Sequence, residues 1–348
     1  MKMLKNILKL TAMWMAATVS FTACEVDTTT VMFEEDHDFS QPGDTVFSML
    51  GILDKVQDVV EKGVLLGELR GDLVKPDPFV GTSSAWVDLT RFENLENATF
   101  NRYRDYYAIV NNCNFYLERA DAEMERRGQK VFLKEYAAVS AYRAWAYLQL
   151  ALLYGEVPFY TQPLLSYSEI EQVMNDPSKR KGLGEICSYF IDDLLPYVDV
   201  PFPNYGNFTY DQSSSVNSSD FFLPIRLLRG DLYLWRGSLD GNKSDFAKAA
   251  QEYRDYLLSE KRFVSPDVKV AYRTVDMDGA QIVDRWSSVF LGNNYNESIS
   301  LVPFAGNSQY GKLGSLRQSF RSFMGSDALQ KLVDESYYCY VMYTEESE

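Results

Sequence analysis

Residues 131–155 read VFLKEYAAVSAYRAWAYLQLALLYG, and nothing charged interrupts their second half. Twelve uncharged residues separate Arg143 from Glu156. The spacing predicts a helix apolar around most of its circumference, and such a helix has to be enclosed by neighbours. Ala137, Ala138, Ala141, Ala144 and Ala146 keep it thin, so those neighbours can come close. Gly155 and Pro158 supply the stop. The expected architecture is all-α, with the C-terminal half of this helix buried nearly all round.

Working outward, RYRDYYAIVNNCNFYLERA (102–120) carries Tyr103, Tyr106, Val110, Cys113 and Leu117 at steps of three and four, an amphipathic helix. LGEICSYFIDDLLPYV (183–198) is another, and 201–220 reads as a loop from its Pro, Gly, Ser and Asn. A helical pair follows, 221–237 and 243–260, joined by SLDGN, with Ser244-Asp245 placed to cap its second member. Gly230 with Tyr233, then Ala249, Tyr253 and Tyr256, echo the tetratricopeptide consensus with a longer spacing between the halves. Trp145 and Trp235 fall in buried-looking helices and are expected in the core, as is Trp286 in the stripe Val283-Trp286-Phe290. Beyond 261 the texture changes: SISLVPF (298–304) alternates like a strand, 305–326 is loop-like, and 327–340 begins as a helix.

The amino terminus has its own logic. MKMLKNILK carries three lysines and no acid, and Leu10–Ala23 is a 14-residue uncharged run. That is too short for a spanning helix, which needs about 20 apolar residues, and it describes a secretory signal over residues 1–23. Thr22-Ala23-Cys24 resembles the bacterial lipobox, with Phe21 where leucine is usual, so Cys24 is the expected lipidation site. Several acyl chains on one cysteine hold a protein firmly at a membrane surface, at about 0.8 kcal/mol per buried CH₂. Residues 24–45, acidic and ending in a turn at Pro42-Gly43, are expected to be a flexible tether, and 46–348 the helical domain. Without the signal, 31 basic residues face 49 acidic ones, a net charge of −18. Nucleic acid is therefore a poor partner, and no polybasic run invites anionic lipid.

Chemistry is thinly represented. His37, the only histidine, falls in the tether, which leaves no Ser-His-acid site. GLGEIC (182–187) lacks the third glycine of a phosphate loop, and DMDG (276–279) lacks the later ligands of a calcium loop. Cys113, Cys187 and Cys339 form no zinc spacing, and the first two are expected as buried thiols. No cofactor, metal or catalytic residue is expected. Paired carboxylates of a glycoside hydrolase are the alternative that composition leaves open; a periplasm-facing repeat scaffold is another.

AYRAWAYLQLALLYGEVPFYTQPL (141–164) resembles the Arg-Ala-aromatic helix and Tyr-Gly-acid-Val-Pro turn of the SusD/RagB group of Bacteroidetes outer-membrane lipoproteins. GELRGD (67–72), YYAIVNNCNFYLERAD (106–121), KRKGLGEICSYFIDDLLP (179–196), LPIRLLRGDLYLWRG (223–237) and RWSSVFLGNNYNESI (285–299) continue the resemblance in the family's order. It implies a non-enzymatic, lipid-anchored protein at the outer membrane, facing outward. Such a protein binds an oligosaccharide or other nutrient and caps a SusC-like TonB-dependent transporter, its tetratricopeptide-like helix pairs forming much of that contact. Family members continue well past the position matching Glu348, so the resemblance implies a missing C-terminal part.

Sugar rings lie flat on aromatic planes while amides and acids fix their hydroxyls. Most of the 24 Tyr, 21 Phe and 5 Trp should fill the core. Trp86 stands apart, in the Pro/Gly/Ser stretch 77–92 with Asp88 and Arg91 close by. The resemblance implies stacking aromatics in such an early loop, and binding residues favour loops on rigid scaffolds. Trp86, Asp88 and Arg91 are therefore candidate ligand contacts, joined by Tyr205 and Tyr210 from the 201–220 loop.

Overall fold

The central helix forms as its composition requires. In the computed structural model α4 (Leu133–Tyr154) contacts four others: α1 (Pro42–Glu68), α3 (Tyr103–Arg119), α6 (Leu183–Asp193) and α7 (Ile225–Asp240). The structure describes residues 39, 42–71, 74–77, 84–94, 102–209 and 215–259, with short stretches at 274–275, 282–283, 302, 312, 314 and 323–325. All six alanines of α4, Ala151 with the five named above, are buried, as are the rings of Tyr142 and Tyr147. Gly155 ends the helix at φ 78°, a conformation that favours glycine.

The remaining helices stack in chain order. α1 packs on α3, α3 on α4, α4 on α6, α6 on α7, and α7 on α8 (Lys243–Ser259). Each helix covering the next is how helical-repeat scaffolds build a continuous core. Two short helices, α2 (Ser84–Arg91) and α5 (Tyr167–Asn175), lie between these longer elements in the chain. The strands are two or three residues long. Val74–Pro76 pairs antiparallel with Phe323–Gly325, and 207–209 pairs with 215–217 in a hairpin.

The tetratricopeptide signature has a steric meaning. In the α7–α8 hairpin the ring of Tyr253 lies so close to Gly230 that a Cβ there would overlap it. The Tyr253 hydroxyl then donates to Asp231 Oδ1 at 2.6 Å.

Several expectations need correction. Pro42 begins α1 instead of a turn; proline suits a first helical position because the amide it lacks has no helical acceptor there. Phe39 is buried, its ring 5.0 Å from Tyr116 and 6.4 Å from Phe132, so core packing starts before residue 46. The 201–220 loop contains a hairpin and a 3₁₀ turn. α7 runs on to Asp240 and stops at left-handed Gly241, where φ is 70°. Asn242, rather than Ser244-Asp245, caps α8: its Oδ1 accepts from the Ser244 amide at 3.0 Å. Asp245 is buried and engages Arg236 through two bonds of 2.6 and 2.9 Å. Trp145 packs against the core, but Trp235 is 41% exposed. Cys113 and Cys187 are buried and free, and burial pushes each thiol up to about 12. Cys24, His37, Tyr210, DMDG, Trp286, Cys339 and, apart from Val302, SISLVPF lie outside the described residues.

Candidate functional site

Three of the stretches that carry the family resemblance, 106–121, 141–164 and 179–196, meet in space. Arg143 Nη1 donates to Asn114 Oδ1 at 3.2 Å, and its Nη2 reaches Asp193 Oδ2 at 3.0 Å, so one buried guanidinium ties α3, α4 and α6. The chain after α4 is stitched back onto both helices. Tyr107 donates to the Pro158 carbonyl at 2.6 Å, and Tyr147 donates to the Tyr160 carbonyl at 2.6 Å while accepting from its amide at 2.9 Å. Asn111 bonds both backbone groups of Leu164, donating at 2.9 Å and accepting at 2.7 Å. Burial raises the pKa of Tyr107 and Tyr147, which keeps both hydroxyls protonated as donors.

Trp86 lies on α2, not in a loop. Helical spacing puts Trp86 and Leu89 on one side and Asp88 and Arg91 on another. The indole packs on a small cluster of Leu65, Leu66, Leu69, Leu89 and Phe323, against which Leu153 also packs. Asp88 is half-buried and Arg91 exposed. Tyr205 belongs elsewhere: it donates to Glu135 Oε1 at 2.7 Å, while Tyr116 donates to Oε2 of the same buried carboxylate at 2.9 Å. That clamp fixes the 201–206 segment to the start of α4. Residues 135 and 153 stand about 27 Å apart along an ideal helix. The Trp86 group and Tyr205 therefore lie at opposite ends of the molecule's central rod and do not share a site.

Two concavities lie near opposite ends of α4. The larger, of ≈ 470 Å³, opens beside the start of α4 and is lined by Lys134, Phe202, Asn204, Leu223, Arg226 and Tyr256 among others. Its guanidinium is committed: Arg226 bonds Asp199 at 2.6 Å and Glu252 at 3.3 Å. The smaller, of ≈ 170 Å³, sits at the other end of α4 and is walled by Tyr103, Tyr107, Tyr154 and Met174, with Glu156 and Arg180. Sequence reading had not assembled these residues. Their signal is the antiparallel pairing of α3 and α4, which sets the aromatic start RYRDYY beside the end LLYGE. No cluster of His, Cys, Asp and Glu among the described residues could hold a metal ion.

No family model and no curated protein matches the chain. Solved structures do resemble it. A SusD homologue from Bacteroides thetaiotaomicron aligns at a TM-score of 0.48 with 17% identity, over 78% of this chain and 55% of its own. A laminarin-binding SusD-like protein aligns at 0.46 with 16% identity, over 74% and 50%. A SusD superfamily protein from Bacteroides vulgatus aligns at 0.45 with 18% identity, over 62% and 42%. The chain thus spans about half the length of the structures it resembles.

Proposed function

We propose that this chain is a SusD-type surface lipoprotein that captures a saccharide or related nutrient and passes it to a TonB-dependent outer-membrane transporter, without chemistry of its own. One observation carries the reading: three of the stretches that resemble the family, 106–121, 141–164 and 179–196, lock together through Arg143. Residues needed to hold a particular helix stack point to that stack more strongly than isolated matches do. In this reading acyl chains on Cys24 hold the protein at the outer membrane, the helix pairs form the transporter-facing scaffold, and a shallow aromatic site takes the cargo. Aromatic rings beside polar groups that a sugar hydroxyl could engage favour grasping over cleavage.

Affinity electrophoresis of the mature protein tests this. A polysaccharide from a plant, fungal or host glycan panel cast into the gel is expected to retard migration without releasing reducing ends. Unretarded migration across the panel would contradict capture, and release of reducing ends would establish the hydrolase alternative.

A further inference from the structure

We propose that the tyrosine-walled pocket at the end of the α3–α4 hairpin is a subsite for one neutral pyranose ring; this rests on the saccharide-capture reading above. The walls are built before any ligand arrives. Tyr107 is 5% exposed, its hydroxyl is bound to the Pro158 carbonyl, and its ring stacks on Tyr160 at 5.8 Å and 14°. Tyr154 closes a second side as the last residue of α4. Tyr103 meets both rings nearly edge-on, 5.9 Å from Tyr107 at 87° and 6.1 Å from Tyr154 at 74°. Tyr103 itself remains 50% exposed, leaving aromatic surface open at the mouth. Ring contacts of this kind are non-polar and rigid, so they suit the C–H face of a sugar with little entropy lost on binding.

The polar groups fit the same ligand. Glu156 and Arg180 are both exposed at the pocket. Arg180 Nη1 donates to the Glu156 carbonyl at 3.1 Å, which anchors the guanidinium and leaves other N–H groups to donate. The Glu156 carboxylate has no ion-pair or hydrogen-bond partner among the described residues. One acceptor and one donor fork can bracket adjacent hydroxyls, and their formal charges cancel. A neutral ring fits that balance better than a uronate or an amino sugar. The volume admits one ring, not a chain. Trp86 lies toward this end of α4, through the cluster on Leu153. The larger cleft offers no comparable aromatic box, and its arginine is already neutralised by acids.

Saturation-transfer NMR on the mature protein tests the assignment, using the methyl pyranosides of glucose, mannose and galactose, with methyl glucuronide as the charged probe. Ring C–H signals are expected from at least one neutral glycoside, with affinity about tenfold weaker in Tyr103→Ala, the loss of one stacking wall. Glu156→Gln should also weaken binding, and Lys134→Ala, at the other cleft, should leave it intact. Tyr103 is half-exposed at a helix start and Glu156→Gln is isosteric, so both variants should melt like the parent. Unchanged binding in both variants, or preference for the glucuronide, overturns the proposal. So does absence of binding to every neutral glycoside; retardation by polysaccharide would in that case leave the capture reading standing alone.

Discussion

Arg143 ties three helices through one guanidinium. It is buried, and truncating it would remove the partner of the buried Asn114 Oδ1 and of the part-buried Asp193 carboxylate. Arg143→Met is expected to cost about 3 kcal/mol, the scale for breaking one side of a buried ion pair, read as a lowered midpoint in urea unfolding. Asp193 is 24% exposed in its side chain, so Asp193→Asn should cost less than the arginine change. Cys113 and Cys187 make a different residue-level prediction. With thiols pushed up to about 12 and no solvent access, neither should be alkylated by iodoacetamide in native protein, and both should react in denaturant. Their burial was legible because each sits in a helical apolar stripe. The exposure of Trp235 was not. α7 carries Leu234, Trp235 and Leu239 outside the face it buries, and periodicity cannot say which of two apolar faces a neighbour will cover.

At the scale of elements, the α7–α8 hairpin depends on close approach and on one ion pair. Gly230→Ala forces a methyl group against the Tyr253 ring, and overpacking of this kind costs about 1–3 kcal/mol; thermal unfolding should register it. The hydrogen-bonded guanidinium of Arg236 holds the Asp245 carboxyl below its ordinary value of 3.8. A depressed carboxyl stabilises the fold above its unfolded pKa, and that contribution disappears as pH falls through the folded value. Parent protein should therefore lose stability below about pH 4, and Asp245→Asn should start less stable at neutral pH and lose less on acidification. Urea midpoints measured across that range check the sign. The helices α3, α4, α6, α7 and α8 were readable because apolar residues recur at three and four. α1, the longest, was not: Gly51, Gly63 and Gly67 dilute its pattern, and its first residues looked like the end of an acidic tether. Gly63 has a packing role, since a side chain there would meet the Tyr106 hydroxyl at 3.3 Å. The strand Val74–Pro76 finds its partner about 250 residues later in the chain, a pairing that no local pattern announces.

For the whole molecule, the all-α class was legible from the apolar periodicity of several stretches, whereas which residues come together around a cavity was not. The Pro/Gly/Ser surroundings of Trp86 suggest a loop, but α2 turns it toward a cluster and turns Asp88 and Arg91 elsewhere. Tyr205 stands in sequence as a loop aromatic, yet its hydroxyl is taken up by Glu135. The tyrosine pocket brings together residues from 103 to 180, and only the folded hairpin puts them side by side.

The central claim is that this helix stack captures sugar at the cell surface through an anchored amino end. Binding of a fluorescent polysaccharide, chosen from those that retard the purified protein, to intact cells producing the chain tests it most directly. Labelled cells that lose their fluorescence when Cys24 is replaced by alanine are the predicted result. Cells left dark by the parent protein, or equally bright with the Cys24→Ala variant, would contradict it.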